Sequence, residues 1–244
     1  MLLSLQKRFL FVANTKCAST TVELELKRWC EVALPRAKLG KHMPYRAAVR
    51  TCKPLLRLAG LQPEQLFRFG VVRDPLDWVV SWYNYLARPE VASNAQRRAM
   101  STVGVSFADF AAAVVSGTEL KPWAKIGAQH RVFMDQNGEF ALDYLIPAPR
   151  LEPDLLAICA ALGIKRTGRS IAESNASTRI VSPGDVPEKI AVALRQHFAS
   201  DLALYDRAMA GGFGKPGVIV QRKRRAVADA RESSGTRPVR RKPG

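Results

Sequence analysis

Two short apolar runs, each followed at once by small and polar residues, dominate the hydrophobic pattern of this chain. The first covers residues 9–13 and the second residues 66–72. A continuous apolar run of this length, bounded by polar residues, is typical of a strand buried in a parallel sheet. After each run the apolar spacing becomes helical, from Ser19 and from Pro75. The pattern therefore predicts two strand–turn–helix units.

The alternation of strands and helices continues along the chain. Pro54 should kink or break one predicted helix, while Asp74 and Ser106 should cap two others. Strands alternating with helices predict an α/β fold with a central parallel sheet, in which ligands bind beyond the carboxyl ends of the strands. Residues 88–105 are predicted to form a mobile surface loop that is helical for part of its length. The further predicted elements are a third strand at 140–147 and helices at 44–58, 107–115, 152–162, 187–198 and 200–209.

Charge divides the chain into two parts. Of the net charge of +17, the last 30 residues carry +8, from ten Lys and Arg against two Asp and Glu. They show little apolar periodicity, which is typical of disorder. We therefore expect one domain over residues 1–210 and a basic, disordered tail over 211–244. No signal peptide or membrane-spanning run is apparent, and the four scattered cysteines suit reduced thiols in the cytoplasm.

The turn after the first strand, TKCASTT at residues 15–21, has the composition of an anion site. Backbone N–H groups at the start of a helix bind phosphate, and Lys16 adds a mobile positive charge beside three hydroxyl residues. The segment contains no glycine and lacks the G-x-x-x-x-G-K-[ST] pattern of nucleotide-binding loops. An ordinary capped helix start is the alternative interpretation.

The turn after the second strand offers a second anion site. Arg73 leaves the strand with a guanidinium that can hold phosphate through two hydrogen bonds. Ser81 lies two turns into the next helix among apolar side chains, where its hydroxyl needs a hydrogen-bond partner. A phosphate oxygen would serve as that partner. Alternatively, Ser81 bonds back to a backbone carbonyl, and Arg73 pairs with Asp74 or Asp77.

Together the two segments resemble the cofactor-binding motifs of the sulfotransferases that use 3′-phosphoadenosine 5′-phosphosulfate. The resemblance is carried by F-x-x-x-x-x-K-x-A-S-T-T and F-x-F-x-x-V-R-D-P-x-D-x-x-V-S-x-Y, and spans about residues 8–209. The variant is similar to the carbohydrate group that includes uronyl and heparan 2-O-sulfotransferases and their bacterial relatives. Weaker matches are Phe107, Phe110, Gln129, Glu152, Asn175–Ser177 and Asp201–Tyr205.

The resemblance implies a nucleotide-kinase-like, three-layer α/β/α domain and a role for each motif residue. Lys16 would stabilise the bridging oxygen as sulfate leaves, and the product would be 3′,5′-adenosine bisphosphate. Arg73 and Ser81 would hold the 3′-phosphate. No metal is implied. The 5′-phosphosulfate would be bound by Lys16, Cys17, Ala18, Ser19, Thr20 and Thr21.

A general base must take the proton of the acceptor hydroxyl. In the related 2-O-sulfotransferases a histidine in a comparable segment does so, which makes His42 the first candidate. His130 is the next candidate base, or a substrate contact, and Glu23 is an alternative. His197 is expected to be structural.

Two other functions remain open at this stage. A P-loop kinase or nucleotide-binding protein shares the strand–turn–helix logic, and the basic runs of the tail would suit a protein that binds nucleic acid or another polyanion. The acceptor is expected to be a carbohydrate or glycolipid, and the 88–105 loop, Trp123 and Gln129 are candidates for lining its pocket. The tail could contact acidic lipid, so the expected location is the cytoplasm or its membrane surface.

Overall fold

The chain folds around a central, mostly parallel sheet flanked by helices. The computed structural model describes residues 1–34, 40–117, 121–165 and 180–233. In that part the sheet has five strands in the order β3-β1-β2-β4-β5, and β1 alone runs antiparallel to its neighbours. The mixed α/β class predicted from the sequence is confirmed. The strands are β1 (Leu2–Ser4), β2 (Phe9–Val12), β3 (Val32–Ala33), β4 (Phe67–Val72) and β5 (Tyr144–Pro147).

Side-chain alternation along the strands directs apolar groups into two separate cores. Phe9 and Phe11 of β2 join one core, while Leu10 and Val12 join the other. In the first core the ring of Phe69 on β4 packs 5.2 Å from the ring of Phe11. Because both faces of β2 are buried, its sequence is continuously apolar rather than alternating.

Helices cover these cores. The predicted caps are confirmed, since Asp74 accepts hydrogen bonds from the N–H groups of Leu76 and Asp77, and Ser106 accepts one from Asp109. The helices described are α1 (Ser19–Leu26), α2 (Tyr45–Leu58), α3 (Pro75–Leu86), α4 (Pro89–Ala92), α5 (Phe107–Ser116), α6 (Leu151–Leu162), α7 (Glu188–His197), α8 (Ala199–Met209) and α9 (Pro216–Ser233).

One local prediction needs correction. Pro54 does not break α2, which continues through it to Leu58, because Pro54 is on the exposed side, where water can serve the freed carbonyl. The segment 88–105 is helical in part, as the sequence suggested. It contains α4 and is held on α3 by Thr102, whose hydroxyl donates to the carbonyl of Tyr83 at 3.1 Å.

The prediction of a disordered tail from residue 211 is wrong for the described part of that segment, where α9 forms and packs on α6. Val220 is 2% exposed in the first core. The Lys223 ammonium lies 3.0 Å from the carboxylate of Asp143, which also pairs with Arg68 at 2.8 Å. High net charge concealed these apolar contacts in the sequence. No helix in the described ranges is long and apolar enough to cross a membrane.

We predict that Val220→Ala lowers the free energy of unfolding by about 2 kcal/mol through lost burial, as measured by urea denaturation. Val218→Ala is the matched control, because Val218 lies in the same helix but is 52% exposed. Equal effects of the two substitutions would show that α9 is not docked on the domain.

Candidate functional site

The loop between β2 and α1 adopts a strained backbone conformation. Lys16 and Ala18 have φ angles of 61° and 49°, in the left-handed region that normally favours glycine. Each costs about 1 kcal/mol or more and persists only where the surroundings enforce it. Turns containing left-handed residues are also the conformations from which anion-binding backbone concavities are built. The strain therefore marks this loop as a candidate site.

Backbone donors at the start of α1 remain available. The first turn is closed by the N–H of Thr21, which donates to the carbonyl of Ala18 at 3.0 Å. The N–H groups of Ala18, Ser19 and Thr20 have no backbone acceptor among the described residues. These are the donors that a helix start offers to an anion. Anion binding by these N–H groups stays a prediction.

A buried amide, Gln129, joins this loop to the end of β4. Its Oε1 accepts from Asn14 Nδ2 at 3.1 Å and from the N–H of Arg73 at 3.1 Å, and its Nε2 donates to the carbonyl of Arg73 at 2.8 Å. Gln129 is 0% exposed, so it does not line an acceptor pocket as predicted. It instead fixes the two candidate anion-binding segments relative to each other, a role that no local sequence signal indicated.

Trp78 and Asp201 complete this support. The indole Nε1 of Trp78 in α3 donates to the carbonyl of Thr15 at 2.8 Å. The carboxylate of Asp201 in α8 accepts from the backbone N–H groups of Gln129 and His130, each at 2.8 Å. Asp201 is fully buried. The site therefore depends on elements from both halves of the chain.

Cys17 faces inward rather than toward a ligand. It is 1% exposed, and its Sγ lies 3.3 Å from Gln129 Oε1. Burial raises the pKa of the Cys17 thiol to about 12. Its side chain is thus an inert part of the loop support, and only its backbone can face an anion.

Cationic side chains gather around the ring of Tyr85 in α3. The ammonium of Lys16 lies 4.2 Å from the ring centroid, and the guanidinium groups of Arg97 and Arg88 lie 5.3 and 5.4 Å from it. Burial, together with the charges of Arg88 and Arg73, lowers the pKa of Lys16 to about 8. A bound anion would relieve this repulsion, so the cluster is suited to a negatively charged ligand.

Ser81 is half-buried in α3, one helical turn before Tyr85. Asp77, Ser81 and Tyr85 follow at four-residue spacing and share one face of α3. The alternative pairing of Arg73 with Asp77 is weak, since Arg73 Nε lies 3.9 Å from Asp77 Oδ2 at an exposed position. Asp74 is used as the cap of α3. Arg73 lies close enough to Lys16 for its charge to lower the pKa of Lys16, and Ser81 shares the face of α3 that carries Tyr85.

His42 lies at the same edge of the sheet, over the end of β2. Its Nδ1 lies 3.0 Å from the carbonyl oxygen of Ala13. Because a carbonyl only accepts, Nδ1 carries the proton and Nε2 is left with a free lone pair. Burial lowers the pKa of His42 to about 4, and the charges of Lys41 and Lys16 act in the same direction. His42 is thus a neutral, oriented proton acceptor near pH 7.

The alternative bases have different surroundings. Glu23 is buried and ion-paired, with its Oε2 2.9 Å from the Lys41 ammonium, which also donates to Thr20 Oγ1 at 3.2 Å. His130 Nδ1 lies 2.6 Å from Asp201 Oδ1, which orients that imidazole as well. His197 is exposed at the end of α7, where its ring packs on Phe198. The structure therefore leaves His42 and His130 as oriented histidines.

Four residues of the weaker sequence matches belong to the core or to the support network. Phe107 and Phe110 pack against Tyr83 as core residues, and Gln129 and Asp201 belong to the support network. Asn175–Ser177 lie outside the described residues. Comparisons with protein-family models, with curated proteins and with solved structures found no match to this chain. The functional interpretation therefore depends on the residues and their geometry.

We predict that NMR titration will show the His42 imidazole with a pKa near 4. An unfolded histidine takes up its proton near pH 6.5, whereas folded His42 resists protonation to about pH 4. Between these values the unfolded state binds more protons, so His42 lowers stability as the pH falls from 6.5 to 4. The signal that disappears in His42→Asn identifies the His42 imidazole. A pKa near 6.5 for that imidazole would contradict its buried geometry.

Proposed function

We propose that the protein is a sulfotransferase that moves a sulfuryl group from 3′-phosphoadenosine 5′-phosphosulfate to a hydroxyl group of a carbohydrate. The observation that carries the proposal is that the loop after β2 and the end of β4, the two candidate anion-binding segments, meet at one sheet edge. Gln129 links these segments through its hydrogen bonds to Asn14 and to the backbone of Arg73. A ligand with anionic groups at two positions fits this arrangement better than one with a single phosphate.

The finer fold assignment belongs to the same proposal. We infer a three-layer α/β/α domain of the nucleotide-kinase type. Support comes from the division of the apolar core into two clusters, with α1 and α3 contributing to one and α2 and α8 to the other. A cytoplasmic location suits the four cysteines, all of which are free thiols.

In this proposal some residues of the site bind the cofactor and another accepts the proton of the acceptor hydroxyl. The amides of Ala18, Ser19 and Thr20 and the ammonium of Lys16 would hold the 5′-phosphosulfate, and Arg73 and Ser81 the 3′-phosphate. The phosphosulfate supplies the sulfuryl group, which leaves its bridging oxygen as it bonds to the acceptor oxygen. Lys16 faces the negative charge that develops on the bridging oxygen.

His42 is the residue that takes the proton from the acceptor hydroxyl. Its Nδ1–H is committed to the Ala13 carbonyl, so Nε2 is the atom that receives the proton. Burial disfavours the imidazolium in the ligand-free protein, but the negative charge of a bound nucleotide would stabilise it. His42 would therefore accept a proton more readily when a nucleotide occupies the anion sites.

A P-loop kinase is the competing function with the same local topology. Its phosphate loop relies on glycine for close backbone approach, whereas residues 14–21 contain none. The carboxylate that follows β4, Asp74, is used to cap α3. These features favour phosphosulfate over a nucleoside triphosphate with magnesium.

We predict that 3′,5′-adenosine bisphosphate raises the melting temperature of the protein, and that ATP with magnesium has a smaller effect. Lys16→Ala and Arg73→Ala should each weaken the bisphosphate affinity at least about tenfold, because a charge-assisted hydrogen bond is lost, and should abolish transfer. Lys189→Ala, an exposed change in α7, is the control. Unchanged affinity and turnover in both site variants would rule out the assignment.

Paired variants should distinguish the two oriented histidines as general base. Asparagine can imitate the Nδ1 donor of histidine but has no counterpart of Nε2, so His42→Asn and His130→Asn each preserve the observed hydrogen bond. We predict that His42→Asn lowers turnover about a hundredfold or more with little loss of bisphosphate affinity. A larger loss of turnover in His130→Asn would transfer the role to His130.

A further inference from the structure

The exposed side of α2 carries a stripe of four cations with no function in the candidate site. Arg46, Arg50, Lys53 and Arg57 are all exposed and follow at spacings of four, three and four residues. At 3.6 residues per turn they fall within an arc of about 60° and extend along roughly 16 Å of helix. The helix contains no Asp or Glu, and none of the four has a carboxylate partner in the described ranges.

A neutral and apolar stripe runs beside the cations. Ala47, Thr51, Pro54 and Leu58 each follow one cation by a single residue, so the two stripes are parallel. Leu58 is 87% exposed, the highest exposure among the large apolar residues described, and Leu55 is 39% exposed. The fold does not require this side, because α2 anchors itself to the core through Tyr45, Ala48, Cys52 and Leu56.

The combination of the two stripes identifies the kind of partner. A row of cations alone would suit any polyanion. Exposed leucine next to cations suits the boundary between lipid headgroups and acyl chains, where apolar side chains insert while Lys and Arg contact anionic headgroups. The absence of carboxylates along α2 removes the repulsion that an anionic surface would otherwise meet.

We propose that α2 docks this protein on the surface of a bilayer that contains anionic phospholipids. The occupant is the bilayer, with Arg46, Arg50, Lys53 and Arg57 on the headgroups and Leu58 inserted among the acyl chains. Since α2 begins three residues after His42, docking holds the candidate site at the lipid surface. The proposal does not depend on the reaction that the site performs.

Vesicle co-sedimentation of the full chain tests this proposal. Wild-type protein should bind vesicles of phosphatidylglycerol in phosphatidylcholine and not vesicles of phosphatidylcholine alone. Arg50→Glu with Lys53→Glu should weaken binding by more than about tenfold, because each cation near an anionic surface contributes separately. Arg222→Glu with Arg225→Glu in α9 makes the same change of net charge at exposed positions and should retain most of the binding.

Leu58→Ser separates a bilayer from a linear polyanion without changing charge. It should weaken vesicle binding severalfold and leave binding to heparin, used as a probe, unchanged. No vesicle binding by wild type, or an equal loss in the α9 control, would overturn the proposal. Unchanged vesicle binding in Leu58→Ser would identify α2 as a polyanion surface instead. Melting temperatures confirm that each exposed substitution leaves the fold intact.

Discussion

The buried side chain of Gln129 is the interaction on which the candidate site depends. One amide contacts Asn14 and Cys17 on the first loop and both backbone groups of Arg73 at the end of β4. An unpaired buried amide is costly, so these partners must be present together or the network fails as a unit. The spacing between the two candidate anion-binding segments is therefore fixed by buried hydrogen bonds rather than by flexible loops.

This rigid support explains how the chain tolerates features that would otherwise be unfavourable. The first loop holds left-handed conformations at Lys16 and Ala18 without glycine, and the cations Lys16, Arg88 and Arg97 surround the ring of Tyr85. Both features raise the energy of the ligand-free state, and a bound anion would relieve the repulsion among the cations. Preorganisation of this kind means that part of the cost of binding is met when the protein folds.

Sequence-based prediction succeeds for features that are determined by a few neighbouring residues, and it fails for features whose partners are distant in the chain. β2, β4 and the cap at Asp74 were predictable, because their signals lie within a few neighbouring residues. β1 and β3 are too short to show a pattern, and the high charge around Val220 concealed α9. The role of Gln129 could not be predicted, because its partners lie 56 and 115 residues away. The orientation of His42 similarly depends on a distant carbonyl, that of Ala13.

The position of Asp201 in the chain has a consequence for the order of folding. Its carboxylate holds the backbone of Gln129 and His130 across 72 and 71 residues, and it is contributed by α8, near the end of the domain. During synthesis, β2, β4 and their loops leave the ribosome well before α8 exists. Gln129 and His130 therefore gain this support only after α8 has been synthesised. A nascent chain can form the sheet early, yet the network that supports the candidate site is completed late.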